Sequence, residues 1–580
     1  MSASSHTPGS GALSADRSAE PAPGKAQAVW LGLRRWVRTH HLETAFIALG
    51  LLVRLVFWQV THRRFEDGLI TVTHARSVLG GFGLTHHPFE PVTHGFTSAI
   101  SVLVPLSGEV VGEVVPLMDG FMALRLSSLV AFVATIVAAG VIAKRLGLGT
   151  WPRVFAYGIL TLSFNQIYYA MSGMETQVAV AILLWAIVAG MERRPVASGV
   201  LYGLCILVRP DFVIFVGLAL AWWLWQDRRA ALRVALIAGA VLLPWVAFTT
   251  LYYGSPIPNT IPAKALRYPI DYPHSLSPSA WWHFITTQVD QREGWLWRTF
   301  SPFYEHVFVN KAPFLPVLAT WFSGAILLLG VVGMAISRQV VGWKPVIGFV
   351  VIYFAYRMLA LPATYYDWYY PPLTALLALN GAVALQRLST IAPRTAAIPA
   401  VLVVAAFAWA LPALFVLEHR YQADVEDQVR QPLGIWLRDN VPAGSTVTSE
   451  SAGYVGYYSG GNIRLWDYPG LTSKEAFAIM KALGSERSNL QWLVHAARPD
   501  YAIWRPDELA AFNAQFPATA ALYEQVAAFS TPTNPADLRW SGVEFAEPDK
   551  EFVVMKRVRG TLGGVERARE LVAAERAAAG

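Results

Sequence analysis

The chain of 580 residues is 54% hydrophobic and only 15% charged, with 22 Trp and a mean hydropathy of +0.39. Soluble domains carry about a quarter charged residues, so this composition excludes a wholly water-soluble protein and indicates a chain embedded in membrane. The net charge of +7 does not indicate nucleic acid, because the Lys and Arg sit between apolar runs rather than in a stripe with interleaved aromatics.

In chain order, residues 1–28 are rich in Ser, Ala, Pro and Gly and lack the basic start, short apolar stretch and cleavage site of a secretory signal. They read as a disordered cytoplasmic tail. Leu42–Val60 is long and apolar enough to cross the hydrocarbon, and Arg34, Arg35 and Arg38 before it set the N-terminus in the cytoplasm. Further apolar runs follow at Phe121–Ala143, Trp151–Tyr169, Thr176–Met191, Ala197–Val208, Phe212–Trp225, Ala235–Tyr253, Leu315–Ile336, Val346–Leu361, Tyr370–Leu385 and Ile398–Phe415. Basic clusters at Lys144 and Arg145, Arg193 and Arg194, Arg228 and Arg229, Arg338 and Lys344, and Arg387 and Arg394 fall at every second crossing, which predicts eleven spans. Ser98–Pro116 reads as interfacial or re-entrant, since a full span there would put the later arginines outside. The lone cysteine, Cys205, lies in one of these runs and excludes an intramolecular disulfide framework and any Cys-based zinc site.

The fold class expected is an α-helical polytopic membrane protein with a C-terminal extracytoplasmic α/β domain. The membrane domain covers 29–417 with external loops 61–120 and 254–313, and the outer domain covers 418–580. In the latter, Ser445–Thr448, Tyr501–Trp504 and Glu551–Met555 alternate as strands do, and Lys474–Leu483 reads as a helix.

The chemistry concentrates in the external turns. Glu66 and Asp67 stand side by side just beyond the first span, where low-dielectric surroundings make carboxylates costly. Either a general base justifies that cost, or the pair is solvated and neutralised by Arg63 and Arg64. Ser172-Gly173-Met174-Glu175 has the spacing of a capping box, so Glu175 reads first as a helix cap. Arg209, before Pro210 and Asp211, lies at a depth that demands a polar cavity or an anion. With Lys264, Arg267 and Arg357 it makes a cation set suited to a lipid-linked phosphate, although Lys264 also fits an interfacial anchor. Tyr365, Tyr366, Trp368, Tyr369 and Tyr370 around Asp367 read as an aromatic belt or a sugar-stacking wall. His86 and His87 are neighbours, which rarely share a metal, and His94 stands alone; no Walker loop or His-x-x-x-His helix occurs.

The ordered motifs resemble the GT-C superfamily of integral membrane glycosyltransferases, in particular the branch of the mycobacterial terminal arabinofuranosyltransferase. They are Glu66-Asp67-Gly68-Leu69-Ile70-Thr71, His74-Ala75-Arg76, Gly81-Phe82-Gly83, Gly173-Met174-Glu175-Thr176, Arg209-Pro210-Asp211, Pro258-Asn259-Thr260 with Lys264, Gly456-Tyr457-Tyr458-Ser459-Gly460 and Gly470-Leu471-Thr472. Two departures stand out: Glu66 occupies a position where the branch has Asp, and His74 one where it has Tyr or a nearby aromatic.

The resemblance implies inverting transfer of a sugar, arabinofuranose by analogy with the branch, from a polyprenyl-phosphate donor to a cell-envelope glycan acceptor at the outer face of the cytoplasmic membrane. Glu66 or Asp67 would be the base; Lys264, Arg209, Arg267 and Arg357 would bind the donor phosphate; Glu175, Asn259, His74, Arg76 and Tyr369 would contact substrate. No cofactor is required by this reading, metal ligands are unknown, and a divalent cation stays open because dependence varies in the superfamily. The alternative function is a transporter or flippase of a lipid-linked glycan, which commonly carries internal repeats that this sequence lacks.

Overall fold

The computed structural model describes residues 37–290, 315–359, 367–392, 395–532 and 548–579. The expected tail 1–28, Arg34, Arg35, Tyr365, Tyr366, Arg394 and the far part of the loop 254–313 lie outside the described residues. The chain divides after Ala45 into two units, and the second, Phe46–Gly580, carries the outer sheet and every candidate site residue.

Each of the eleven apolar runs is helical over its described residues, Trp151–Tyr169 through two helices rather than one. By length and hydropathy, five of the described helices can cross a membrane: His41–Thr61, Gly120–Arg145, Arg228–Tyr253, Val317–Ser337 and Ala397–Asn440. A sixth span is available if the bent pair Phe164–Met171 and Thr176–Met191, set at 115°, counts as one. Pro195–Val208 and Pro210–Gln226 are apolar but shorter, as is Ala99–Gly112, which covers the stretch expected to be interfacial.

One expectation is corrected. Trp151–Tyr169 is not one helix: Thr150–Leu162 ends at Ser163 and Phe164–Met171 begins anew. Arg54 is fully buried and donates to the carbonyls of Thr161 (3.2 Å) and Leu160 (3.5 Å), which the break deprives of helical donors. Its guanidinium also reaches Gln177 at 3.1 Å and covers the Phe132 ring. The last of the long helices runs on past the expected boundary at 418 to Asn440, through a wider π-type turn at Gln422–Arg430.

The C-terminal part is built on a five-stranded sheet: β1 (Thr446–Ser449), β2 (Arg464–Asp467), β3 (Tyr501–Trp504), β4 (Tyr523–Ser530) and β5 (Glu551–Arg557), in the order β2-β1-β3-β5-β4. β1 pairs parallel with β2 and β3, while β5 runs antiparallel to β3 and β4. Successive side chains of a strand point to opposite faces. On β3, Tyr501 and Ile503 join Leu433, Leu437, Val447 and Val455 in one core, whereas Ala502 and Trp504 join Met480, Leu493 and Phe512 in the other. Helices therefore cover both faces, and this double burial makes the strand read as a continuous apolar run.

Candidate active site

The segment after the first apolar helix folds as the helix Glu66–Leu79, and its start is held from three sides. The Phe65 N–H donates to the Ser172 carbonyl at 2.9 Å, joining the loop to the turn before Thr176–Met191. Gly68 permits this approach, since a Cβ there would lie 2.7 Å from the Gly173 oxygen. Buried Arg63 pairs at 3.0 Å with both Glu418 and Glu426 of the long last helix. Its own carbonyl accepts from Arg125 at 2.9 Å.

Glu66 and Asp67 then point to different fates. The Glu66 carboxylate accepts the backbone N–H groups of Gly453 (2.6 Å) and Tyr454 (3.2 Å) at the start of the helix Ala452–Tyr458. Burial pushes its pKa up to about 7, with Glu426 adding to that and Arg430 and the two N–H groups opposing it. It ties the outer domain to the first loop and does not line the cavity beside it. Asp67 does.

That cavity has a volume of about 770 Å³ and gathers Asp67, Glu175, Arg209, Lys264 and Tyr369. Burial holds the Asp67 carboxyl above the usual carboxylate range, with Lys264 pulling the other way. The Lys264 ammonium is correspondingly pushed below the usual lysine range by burial, against Asp67 and with help from Arg209 and Arg357. Arg209 grips Asp211 through two bonds of 3.1 and 3.0 Å and donates to the Trp368 carbonyl at 3.1 Å. Tyr353 donates to the same Asp211 at 2.5 Å. The Tyr369 ring lies 4.2 Å from the Arg209 guanidinium and 4.4 Å from that of Arg357, whose Nη2 donates to the Tyr370 hydroxyl at 3.2 Å. Asp211 thus neutralises Arg209, and Lys264 and Arg357 supply the positive field around the cavity. Val213 and Ile261 on its wall are also exposed outward, giving it an apolar lip.

The capping-box reading of Glu175 is not met. Glu175 is itself the N-cap residue and makes no side-chain cap bond, and the Ser172 hydroxyl has no hydrogen-bond partner among the described residues. Gly173, at φ +96, turns the chain so that Glu175 faces the cavity. Tyr369 and Trp368 likewise line the cavity.

Besides Glu66, five expected residues lie outside the cavity wall, and one of them, Arg357, sits against the Tyr369 and Tyr370 rings. His74 is fully buried behind the helix, its Nδ1 2.8 Å from the Ile70 carbonyl, and burial takes its pKa down to about 4. Arg76 pairs with Glu109 at 3.1 Å over the Tyr457 ring. Arg267 pairs with Glu450 at 3.1 Å. Asn259 donates to the carbonyls of Gly470 (2.6 Å) and Leu471 (3.3 Å), pinning a loop whose Leu471 closes the cavity; Asp467 holds the other side through the N–H groups of Leu471 and Thr472.

Residue patterns did not single out the wall residues Tyr268 and Tyr356, or the buried Tyr353 behind Asp211. Thr260 and Leu471 were touched only as members of the Pro258-Asn259-Thr260 and Gly470-Leu471-Thr472 motifs. Among the described residues no three His, Cys, Asp or Glu side chains come together as metal ligands.

Residues 418–548 match a family described as a domain of unknown function, DUF8728. The terminal beta-(1->2)-arabinofuranosyltransferase of Mycobacterium tuberculosis is 27% identical over 246 residues, which is 38% of this chain and 38% of that protein. The match therefore spans well under half of this curated relative. Among solved structures, ArnT from Cupriavidus metallidurans bound to undecaprenyl phosphate aligns with a TM-score of 0.50 at 15% identity, over 90% of this chain and 98% of that one. Arabinofuranosyltransferase AftD from Mycobacteria aligns with a TM-score of 0.43 at 14% identity, over 90% of this chain and 40% of that one. Taken with the apolar helices of the membrane part, the ArnT likeness shows that the chain has the multi-pass membrane fold of that protein.

Proposed function

We propose that the protein is an inverting glycosyltransferase that moves a sugar from a polyprenyl-phosphate donor to a hydroxyl of a cell-envelope glycan, on the outer face of the cytoplasmic membrane. The observation that carries this reading is a single cavity in which a half-buried carboxylate, Asp67, and a half-buried ammonium, Lys264, interact electrostatically beneath an apolar lip.

The acceptor hydroxyl gives its proton to Asp67 while its oxygen attacks the anomeric carbon. The bond from that carbon to the donor phosphate breaks on the opposite face, and the electron pair leaves with the polyprenyl phosphate. A carboxylate whose pKa is raised by burial is the stronger base. The leaving phosphate gains negative charge, and Lys264, aided by Arg357, stabilises it where water is scarce. Glu175 and Tyr369 flank the sugar as polar and stacking contacts, and the lip at Val213 and Ile261 leads the prenyl chain to lipid.

ArnT in complex with undecaprenyl phosphate and the named arabinofuranosyltransferases support a lipid-phosphate donor, with arabinofuranose as the sugar. The test is transfer of label from a panel of polyprenyl-phosphoryl pentoses and hexoses to octyl glycosides by the purified chain in nanodiscs. Stereochemical inversion in the product is expected. Passage of labelled lipid across vesicles without product would favour a flippase and overturn the reading.

A further inference from the structure

The short helix Thr260–Arg267 carries Lys264, and the C-terminal domain holds it at both ends. At its start Asn259 donates to the carbonyls of Gly470 and Leu471. At its end Arg267 pairs with Glu450 at 3.1 Å, and its guanidinium lies 4.5 Å from the Tyr468 ring. Leu266 beside it packs on the core that contains Trp466 and Tyr468. Between those ends, Thr260, Ile261, Lys264 and Ala265 line the cavity, whereas Glu450 and Arg267 stand behind its wall.

Glu450 follows directly on β1 and stands just before the helix Ala452–Tyr458, whose first N–H groups hold Glu66. The single stretch 450–454 therefore grips both sides of the cavity. Glu450 holds the helix of Lys264, and the N–H groups of Gly453 and Tyr454 hold the residue next to Asp67. A chain of ion pairs stiffens that stretch. Glu450 also pairs with Arg505, Arg505 with Asp549 at 2.7 Å, Asp549 with Arg430, Arg430 with Glu426 at 3.3 Å, and Glu426 with Arg63 at 3.0 Å. Arg63 immediately precedes the helix of Asp67 by way of Arg64 and Phe65, so the chain of charges returns to the base. Its inner members, Arg63, Glu426 and Arg430, expose less than a tenth of their side chains, where water screens little and a lost partner is costly. The Arg267–Glu450 pair differs: its side chains are 23% and 27% exposed, so it contributes little to stability and its effect lies in where the helix sits.

We propose that Glu450 is a positioning residue for the transfer: through Arg267 it fixes the end of the helix Thr260–Arg267 and so sets Lys264 in place relative to Asp67. This rests on the transferase reading above and adds to it the device that places the cation. Without Glu450, Arg267 and Arg505 are left as like charges and the end of the helix is released, while Asn259 still holds its start. A misplacement of about 1 Å in such a group costs on the order of 10²-fold in rate.

The test uses the full chain in nanodiscs, a labelled polyprenyl-phosphoryl sugar and an octyl arabinofuranoside acceptor. Glu450→Gln keeps the size and removes the charge. Arg267→Gln removes the other partner and leaves Glu450 paired with Arg505, so it reports even if Glu450→Gln fails to fold. Each is measured alone and combined with Lys264→Met. A residue acting through Lys264 should lower kcat fivefold or more alone, yet lower the residual rate of Lys264→Met less than twofold. A purely structural role would lower both by the same factor. A smaller loss in either folded variant, a loss of twofold or more on top of Lys264→Met, or unfolding of Arg267→Gln would overturn the assignment and leave the transferase reading standing. If the wild type forms no product, the transferase reading fails by itself, and binding of farnesyl phosphate, followed by tryptophan fluorescence, decides the role of Glu450. Affinity weakened fivefold or more by both substitutions, but less than twofold when Lys264 is already Met, would support it; any other pattern would end it.

Discussion

Asp67→Asn is the decisive substitution. Asn has nearly the same size, so the helix Glu66–Leu79 and the cavity wall stay in place, and only the proton acceptor and its negative charge are lost. Removing a general base lowers the rate by roughly 10²–10⁴-fold, or about 3–5 kcal/mol of barrier. The structure adds a second signature. Lys264 is held below the usual lysine range by burial, Arg209 and Arg357, and Asp67 is the group that opposes them. With Asp67 neutral, Lys264 gives up its proton still more readily, so whatever activity remains should lose its alkaline limb at lower pH than wild type. The assay is initial-rate transfer from a labelled polyprenyl-phosphoryl sugar across a pH series, alongside donor binding. A kcat/KM within threefold of wild type in a folded variant would refute the assignment of Asp67 as base.

The other expectations are sharper for being compared with it. Glu66→Gln should keep more than a tenth of wild-type transfer, and Glu66→Ala should lower the melting temperature, because two buried N–H groups left unpaired cost about 1–3 kcal/mol each. Wild-type kcat/KM should follow a narrowed bell: Asp67 must be deprotonated, so the acidic limb lies above the ordinary carboxylate range, and Lys264 must be protonated, so the alkaline limb lies below the ordinary lysine range. Lys264→Met should reduce kcat by roughly 10²–10³-fold, the usual effect of removing one donor to a developing anion, and should move the acidic limb upward. Gly68→Ala places a methyl 2.7 Å from the Gly173 oxygen and pushes Asp67 away from Glu175; a shift of this kind is expected to cost about 10²-fold in kcat. All four are read in the same transfer assay, with melting followed by intrinsic tryptophan fluorescence.

The membrane helices were legible because hydropathy alone marks apolar runs, and Tyr501–Trp504 and Glu551–Met555 announced themselves as strands. The break at Ser163 was not, because no Gly or Pro marks it and the donor that stabilises the freed carbonyls, Arg54, lies more than a hundred residues earlier. β2 and β4 were missed for related reasons: β2 is four residues long and β4 is largely exposed, so neither has a strong pattern. At the site, the motifs named Asp67, Glu175, Arg209 and Lys264, yet adjacent acids on a helix face different directions. Which of Glu66 and Asp67 meets the cavity depends on where Gly453 and Tyr454 dock, and a contact at a separation of almost four hundred residues leaves no local trace. Asn259 and Arg267 were placed near the right chemistry but bind the outer domain, since a polar side chain beside a cavity can serve the scaffold as readily as a ligand.

The helix Ala397–Asn440 has 44 residues, nine of them in the wider turn at Gln422–Arg430, which makes a rod of about 60 Å. A rod of fixed length acts as a spacer with a defined phase. Inserting or deleting one residue within it would advance or retard the outer domain by ~1.5 Å and turn it by about 100°, which no side-chain adjustment can absorb. Natural length variation among proteins of this architecture should therefore collect in the surface loops, while this segment keeps a constant residue count even where its side chains drift.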